Sequence, residues 1–176
     1  GQQPVARTCV PRSWPATGVS GRQLMEIRRS LVAACAPDEM FSWVDDLARY
    51  PEWMRMVHGV TPDVSGGSGE ALAWNVELRA QVGPFSRSKQ LRMVRTEHDV
   101  PHRVTFERAE LDERSHSVWV LRATIDPAPE GQTGLTMELH YGGGLWSGAV
   151  LGRVLDDEVR RGSETLTQLV TDSPTR

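Results

Sequence analysis

The sequence predicts an α+β domain. A curled antiparallel sheet of about seven strands wraps around one long C-terminal helix, and two short helices follow the first strand. Three observations carry this expectation: apolar residues alternate with polar ones over most of residues 72–141, Gly83-Pro84 carries a hairpin signature, and the apolar period becomes helical beyond Gly142-Gly143-Gly144.

The elements follow in order. Met25, Ile27, Leu31 and Ala33 fall on alternate positions, with Arg29 among them, and read as a strand. Pro37 then opens a helix, with Asp38 and Glu39 complementing the positive end of its dipole. Met40, Phe41, Val44, Leu47 and Ala48 form one apolar stripe along it. Pro51 is expected to start a second short helix holding Trp53, Met54 and Val57. Gly66, Gly67 and Gly69 mark a turn, after which the even positions of residues 72–82 are Leu, Trp, Val, Leu, Ala and Val.

A two-residue turn at Gly83-Pro84, with glycine first, places Val82 opposite Phe85. Val76 then faces Leu91 and Trp74 faces Met93, while Asn75, Glu77 and Arg79 face Arg92, Gln90 and Ser88 on the polar side. Four-residue loops at 99–102 and 111–114 are expected to continue the meander, so that Arg95 meets Phe106, Phe106 meets Trp119 and Val104 meets Leu121. A loop containing Pro127, Pro129, Gly131 and Gly134 brings Leu121 to Leu139 and Trp119 to Tyr141. A one-residue slip would turn these apolar side chains into water, so agreement among successive pairs supports the meander. Finally Leu151, Leu155, Val159, Gly162, Leu166, Leu169 and Val170 recur at steps of three and four. They define a helix of about 25 residues, about 38 Å long, enough to span the sheet.

Composition narrows the function classes. A chain of 176 residues suits one domain that buries roughly 70% of its extended surface. Six tryptophans and a near balance of 20 basic and 23 acidic side chains exclude a disordered chain. The same slight negative charge argues against nucleic acid as a partner. No run of about 18 apolar residues predicts an integral membrane segment. Cys9 and Cys35 form neither a disulfide framework nor a zinc motif, and a cytoplasmic setting is expected. Residues 1–24 read as an extended arm with three arginines and no acid, or as a segment of vector origin, since Met25 would serve as an initiator. Residues 25–172 form the domain and 173–176 a tail.

The stretch Ala36-Pro37-Asp38-Glu39-Met40-Phe41-Ser42-Trp43-Val44-Asp45-Asp46-Leu47-Ala48-Arg49-Tyr50-Pro51-Glu52-Trp53 carries a family likeness. It resembles the first-helix signature, ending in tyrosine or tryptophan, proline and tryptophan, of the helix-grip superfamily. This is the SRPBCC group of START, Bet v 1 and polyketide cyclase-like proteins. The resemblance implies a helix-grip fold with a hydrophobic cavity between curled sheet and long helix. Lipid carriers, hormone receptors, aromatase/cyclases and ubiquinone-binding or ribosome-associated proteins share that superfamily, so fold does not fix function.

The register supplies the expected lining: Trp74, Val76, Leu78, Leu91, Met93, Phe106, Trp119, Leu121, Leu139 and Tyr141 from strands, and Leu151, Leu155 and Val159 from the helix. The competing reading of any one of these is plain core packing. Arg29 and Arg108 share the interior parity and are candidates for binding a carboxylate or enolate on an otherwise apolar ligand. The alternative is that they reach water at a strand end or pair with an internal acid. Lys89 and Arg95 share the parity but sit nearer strand ends. Tyr141 and Ser117 are candidate donors to a bound carbonyl.

The five histidines are scattered without metal-ligand spacing, and no nucleophile elbow, phosphate loop or dinucleotide fingerprint occurs. No metal, cofactor or catalytic residue is assigned. The leading expectation is binding, and possible transport, of a hydrophobic small molecule, lipid or polyketide-like, with an acidic group as an option. A polyketide aromatase/cyclase or dehydratase is the alternative. A protein-docking module using Trp43, Trp53 and Trp146 is the third.

Overall fold

The computed structural model describes residues 24–65, 71–82, 84–142 and 149–172, with the side chains of 82, 149–152 and 155 excepted. Strand β1 (Met25–Ala33) leads into helix α1 (Pro37–Val44) and a 3-10 helix (Leu47–Glu52). Strands β2 (Val57–Asp63), β3 (Ala73–Val82), β4 (Phe85–Asp99), β5 (Arg103–Arg108), β6 (Trp119–Pro127) and β7 (Thr133–Tyr141) follow, and helix α2 (Ala149–Asp172) ends the fold. The seven strands form one antiparallel sheet in the order β1-β7-β6-β5-β4-β3-β2. This is the expected curled sheet and long C-terminal helix.

Strands β2 to β7 therefore form a continuous meander, while β1 returns to the far edge beside β7. Irregularities between Val57 and Gly59 and between Arg95 and Glu97 break the ladder at two places, where an extra residue bends a strand and increases its twist. The concave face carries the core. Strand β7 shows the pattern most plainly, with Thr133, Leu135, Met137, Leu139 and Tyr141 buried in strict alternation.

The β3–β4 pairing is the one expected from the hairpin, with Val82 against Phe85, Val76 against Leu91 and Trp74 against Met93. Gly83 itself lies outside the described residues, as do the glycine turn after β2, the triple-glycine corner beyond Gly142, Trp146, Cys9 and the N-terminal arm.

Three expectations need correction. The second short helix spans Leu47–Glu52, so Pro51 lies near its end, and Val57 begins β2. Asp46 initiates it, its carboxylate accepting the Ala48 N–H at 2.9 Å. Phe106 pairs with Leu121 rather than Trp119, and Val104 with Ala123 rather than Leu121. The cause is the third difference: residues 109–118 lie outside the strands, replacing the four-residue loop expected at 111–114. The shift is two residues, so every side chain keeps its face.

Helix α2 lies against β1 and β3. Its described stripe is the expected one, with Val159, Leu166 and Val170 buried and Leu169 partly so. Gly162 belongs to the same stripe because a Cβ there would come within 3.2 Å of the Trp53 carbonyl oxygen. Among the described residues no helix is long and apolar enough to cross a membrane.

Candidate functional site: an apolar hollow with a cationic corner

Between the concave face and α2 lies a hollow of about 60 Å³. Strands β3, β4, β6 and β7 contribute Val76, Leu78, Leu91, Met93, Trp119, Leu121 and Leu139, and α2 contributes Val159. These eight were anticipated from register and helical period. Trp74, Phe106 and Tyr141 belong to the same core but lie off the hollow. Trp74 meets Phe106 edge-on at 5.6 Å between ring centres, and Tyr141 packs 5.3 Å from the Trp119 ring while its hydroxyl donates to Met25 Sδ at 3.3 Å. Leu151 and Leu155 lie outside the described side chains.

The remaining wall escaped the sequence reading. Ile27 and Met137 come from β1 and β7, Leu47 and Tyr50 from the 3-10 helix, and Met54, Met56 and Val57 from the chain running into β2. A segment entering a strand from a helix has no period to reveal its inward face, so only its composition offered a signal. Four of the protein's six methionines, Met54, Met56, Met93 and Met137, line the hollow.

Tyr50 is the single titratable side chain on the wall among the described residues. Its hydroxyl donates to the Val44 carbonyl at 3.1 Å. Burial, with Asp45 and Asp46 adding to it, pushes its ionisation far above the ordinary tyrosine range, so it stays neutral. The wall thus offers shape and apolar surface.

Charge gathers instead at one corner. Arg108 stands opposite Met93, as expected, but its guanidinium is engaged. Nε donates to Glu110 at 2.6 Å, Nη1 to the Ser117 hydroxyl oxygen at 3.1 Å and Nη2 lies 3.2 Å from His116 Nδ1. His116 in turn approaches Asp112 at 2.5 Å. Arg29 is likewise paired, with Asp156 on α2. Each arginine thus has an acid partner, largely covered for Arg108 and partly solvent-exposed for Arg29. Lys89 reaches Ser117 Oγ at 3.2 Å and sits 5.1 Å over the ring of Trp119.

Of the tryptophans considered as docking anchors, Trp43 and Trp53 are not presented to solvent, and Trp146 lies outside the described residues. Trp53 is buried, and Trp43 is covered by the Arg49 guanidinium 3.6 Å from its ring centre. No group of three or more metal-ligating side chains occurs among the described residues.

A meander gripping a terminal helix across an apolar hollow defines a helix-grip protein. The chain belongs to the family described as polyketide cyclase/dehydrase and lipid transport, whose model matches residues 25–171. No curated protein matches the sequence. Among solved structures, the chain is similar to a START superfamily protein from Mycobacterium smegmatis at 13% identity and a TM-score of 0.62, covering 85% of this chain and 97% of that one. A protein from Thermus thermophilus is similar at 17% identity and a TM-score of 0.63, covering 85% of this chain and 100% of that one. The di-domain ARO/CYC StfQ of the steffimycin biosynthetic pathway is similar at 12% identity and a TM-score of 0.56, covering 85% of this chain and 51% of that one. At these identities the likeness is one of fold.

Proposed function

We propose that this protein binds a hydrophobic small molecule between its sheet and α2, and carries it without chemical change. The observation that supports this best is the wholly apolar wall, seven of whose sheet residues also follow from the register. About 60 Å³ is the space of roughly two waters, so a ligand of useful size must displace side chains. Four methionines make that feasible, because the thioether chain is unbranched and adapts its rotamers at little cost. The role needs no cofactor and no nucleic acid, and a cytoplasmic setting belongs to the proposal on cysteine usage alone.

A polyketide aromatase/cyclase or dehydratase is the second reading, favoured by the family's description and by the likeness to an ARO/CYC protein. Such chemistry requires a positioned proton donor or acceptor, and Tyr50, held neutral and hydrogen-bonded, is a poor one. Carriage therefore stands first.

Native mass spectrometry of gently purified protein, together with titration by a fluorescent fatty acid, tests the proposal. An apolar ligand should co-purify or the probe should bind one-to-one, and Leu78→Trp, which fills the hollow, should abolish binding while leaving the circular dichroism spectrum intact. Absence of both forms of binding, or unchanged binding by the Leu78→Trp protein, overturns it. Turnover of a poly-β-ketone that Leu78→Trp abolishes would place the enzymatic reading first.

A further inference from the structure

Lys89 lies two residues before Leu91 on β4 and is paired across the ladder with Leu78, both of which line the hollow. Its side chain is half-buried on the inward parity. The ammonium stands over Trp119, a third wall residue, and donates to Ser117 Oγ, the same oxygen that accepts from Arg108. Two cationic groups therefore meet at one neutral hydroxyl, where their like charges oppose each other.

The two differ in what else holds them. Arg108 has Glu110 at 2.6 Å. Among the described residues, no carboxylate lies within ion-pair distance of Lys89. A cation drawn partly out of water without a counter-ion is costly. Burial first, and Arg108 second, accordingly lower its ionisation from the ordinary lysine range, against a smaller opposing effect of Glu110. One of its three N–H donors goes to Ser117, which leaves two for an acceptor arriving from the hollow.

The geometry points to Lys89 as the anchor for a carboxylate at one end of an apolar ligand, whose body occupies the methionine-lined hollow beside Trp119. This rests on the proposed carrier role and narrows its ligand to an amphipathic carboxylic acid. A single negative charge matches Lys89, the one cation of the Lys89–Arg108 pair with no carboxylate within ion-pair distance among the described residues, and it would relieve the repulsion between the two at Ser117. Arg108, already held by Glu110, positions the corner.

The experiment compares cis-parinaric acid with its methyl ester, by fluorescence titration of the full chain and of its Lys89→Met and Lys89→Arg variants. The wild-type protein should bind the acid at least about tenfold more tightly than the ester, the size expected for one charge-assisted contact. Lys89→Met should erase that preference while binding the ester as before, which also shows that it is folded. Lys89→Arg should retain most of the preference. Equal binding of acid and ester by the wild-type protein, or an acid preference that survives in Lys89→Met, overturns the anchor and leaves hydrophobic carriage standing. Failure of the wild-type protein to bind either probe overturns the anchor, and if native mass spectrometry also shows no co-purifying ligand the carrier reading falls with it.

Discussion

Tyr50 joins the 3-10 helix to both the hollow and the core: its ring packs 4.6 Å from Trp53 and meets Phe106 edge-on at 6.4 Å, while its hydroxyl satisfies the carbonyl of Val44 at the end of α1. Replacing it by phenylalanine keeps the ring and orphans a buried acceptor, so Tyr50→Phe should lower stability by about 1–2 kcal/mol, read from the midpoint of urea unfolding. Because its ionisation lies far above the working range, probe binding should be unchanged in that variant and should show no tyrosine titration up to pH 9. A binding profile that loses a pH-dependent step in Tyr50→Phe would give this hydroxyl a part in ligand recognition. Tyr50 is legible in the sequence only through a family signature. Met54 and Met56 beside it carry no periodic signal, since period describes regular elements and these two side chains come from the connecting segment between the 3-10 helix and β2.

At the level of elements, α2 shows how much of a contact the pattern can reveal. The helical period places Gly162 on the buried stripe, but the reason for a glycine there is the Trp53 backbone, 3.2 Å from where a Cβ would stand. A main-chain carbonyl cannot swing aside as a long side chain can. Gly162→Val should therefore destabilise the protein by about 1–3 kcal/mol despite the helix-propensity cost that glycine itself carries. Thermal unfolding checks this, and a higher melting temperature would mean that the 3-10 segment yields easily. The β5–β6 connection shows where the pattern stops. Alternation fixed the face of Phe106 and Trp119 but not their pairing, because between its backbone-bonded ends, Ala109 and Val118, the segment 109–118 follows a course that side chains help to set. Arg92 Nη1 donates to the Ala109 carbonyl at 2.8 Å, and Arg108 bonds to Glu110 and Ser117. A turn motif specifies a short loop; a polar cluster specifies nothing until the strands have brought its members together.

Across the whole molecule, β2 is a sheet edge whose outer surface is tied to β4 by Asp63 and Arg92, 2.5 Å apart, with both side chains largely covered. The Ser65 hydroxyl first, then the Arg92 guanidinium and the Ser65 N–H, hold the Asp63 carboxyl at about 2, below the usual carboxylate range. The unfolded chain thus takes up this proton at higher pH than the folded one. The contact's contribution is complete above about pH 4 and disappears as pH falls through about 2. Asp63→Asn should accordingly flatten the loss of stability between about pH 4 and pH 2, followed by urea unfolding at each pH. Equal slopes in the two proteins would show that Asp63 is not the acid-labile tie.

By itself the sequence determined the sheet's inward face, the β3–β4 and β6–β7 registers, the gripping helix and most of the sheet-borne wall. These follow from steric alternation and helical period, which act between near neighbours and leave their imprint in order along the chain. Tertiary structure alone decided how large the hollow is, which residues of the connecting segment complete its wall, and that Arg29 and Arg108 have acid partners while Lys89 is left facing Trp119. Those outcomes depend on side chains far apart in sequence meeting at distances of a few ångströms, and pairwise Coulomb and packing energies at that range are set by the folded geometry.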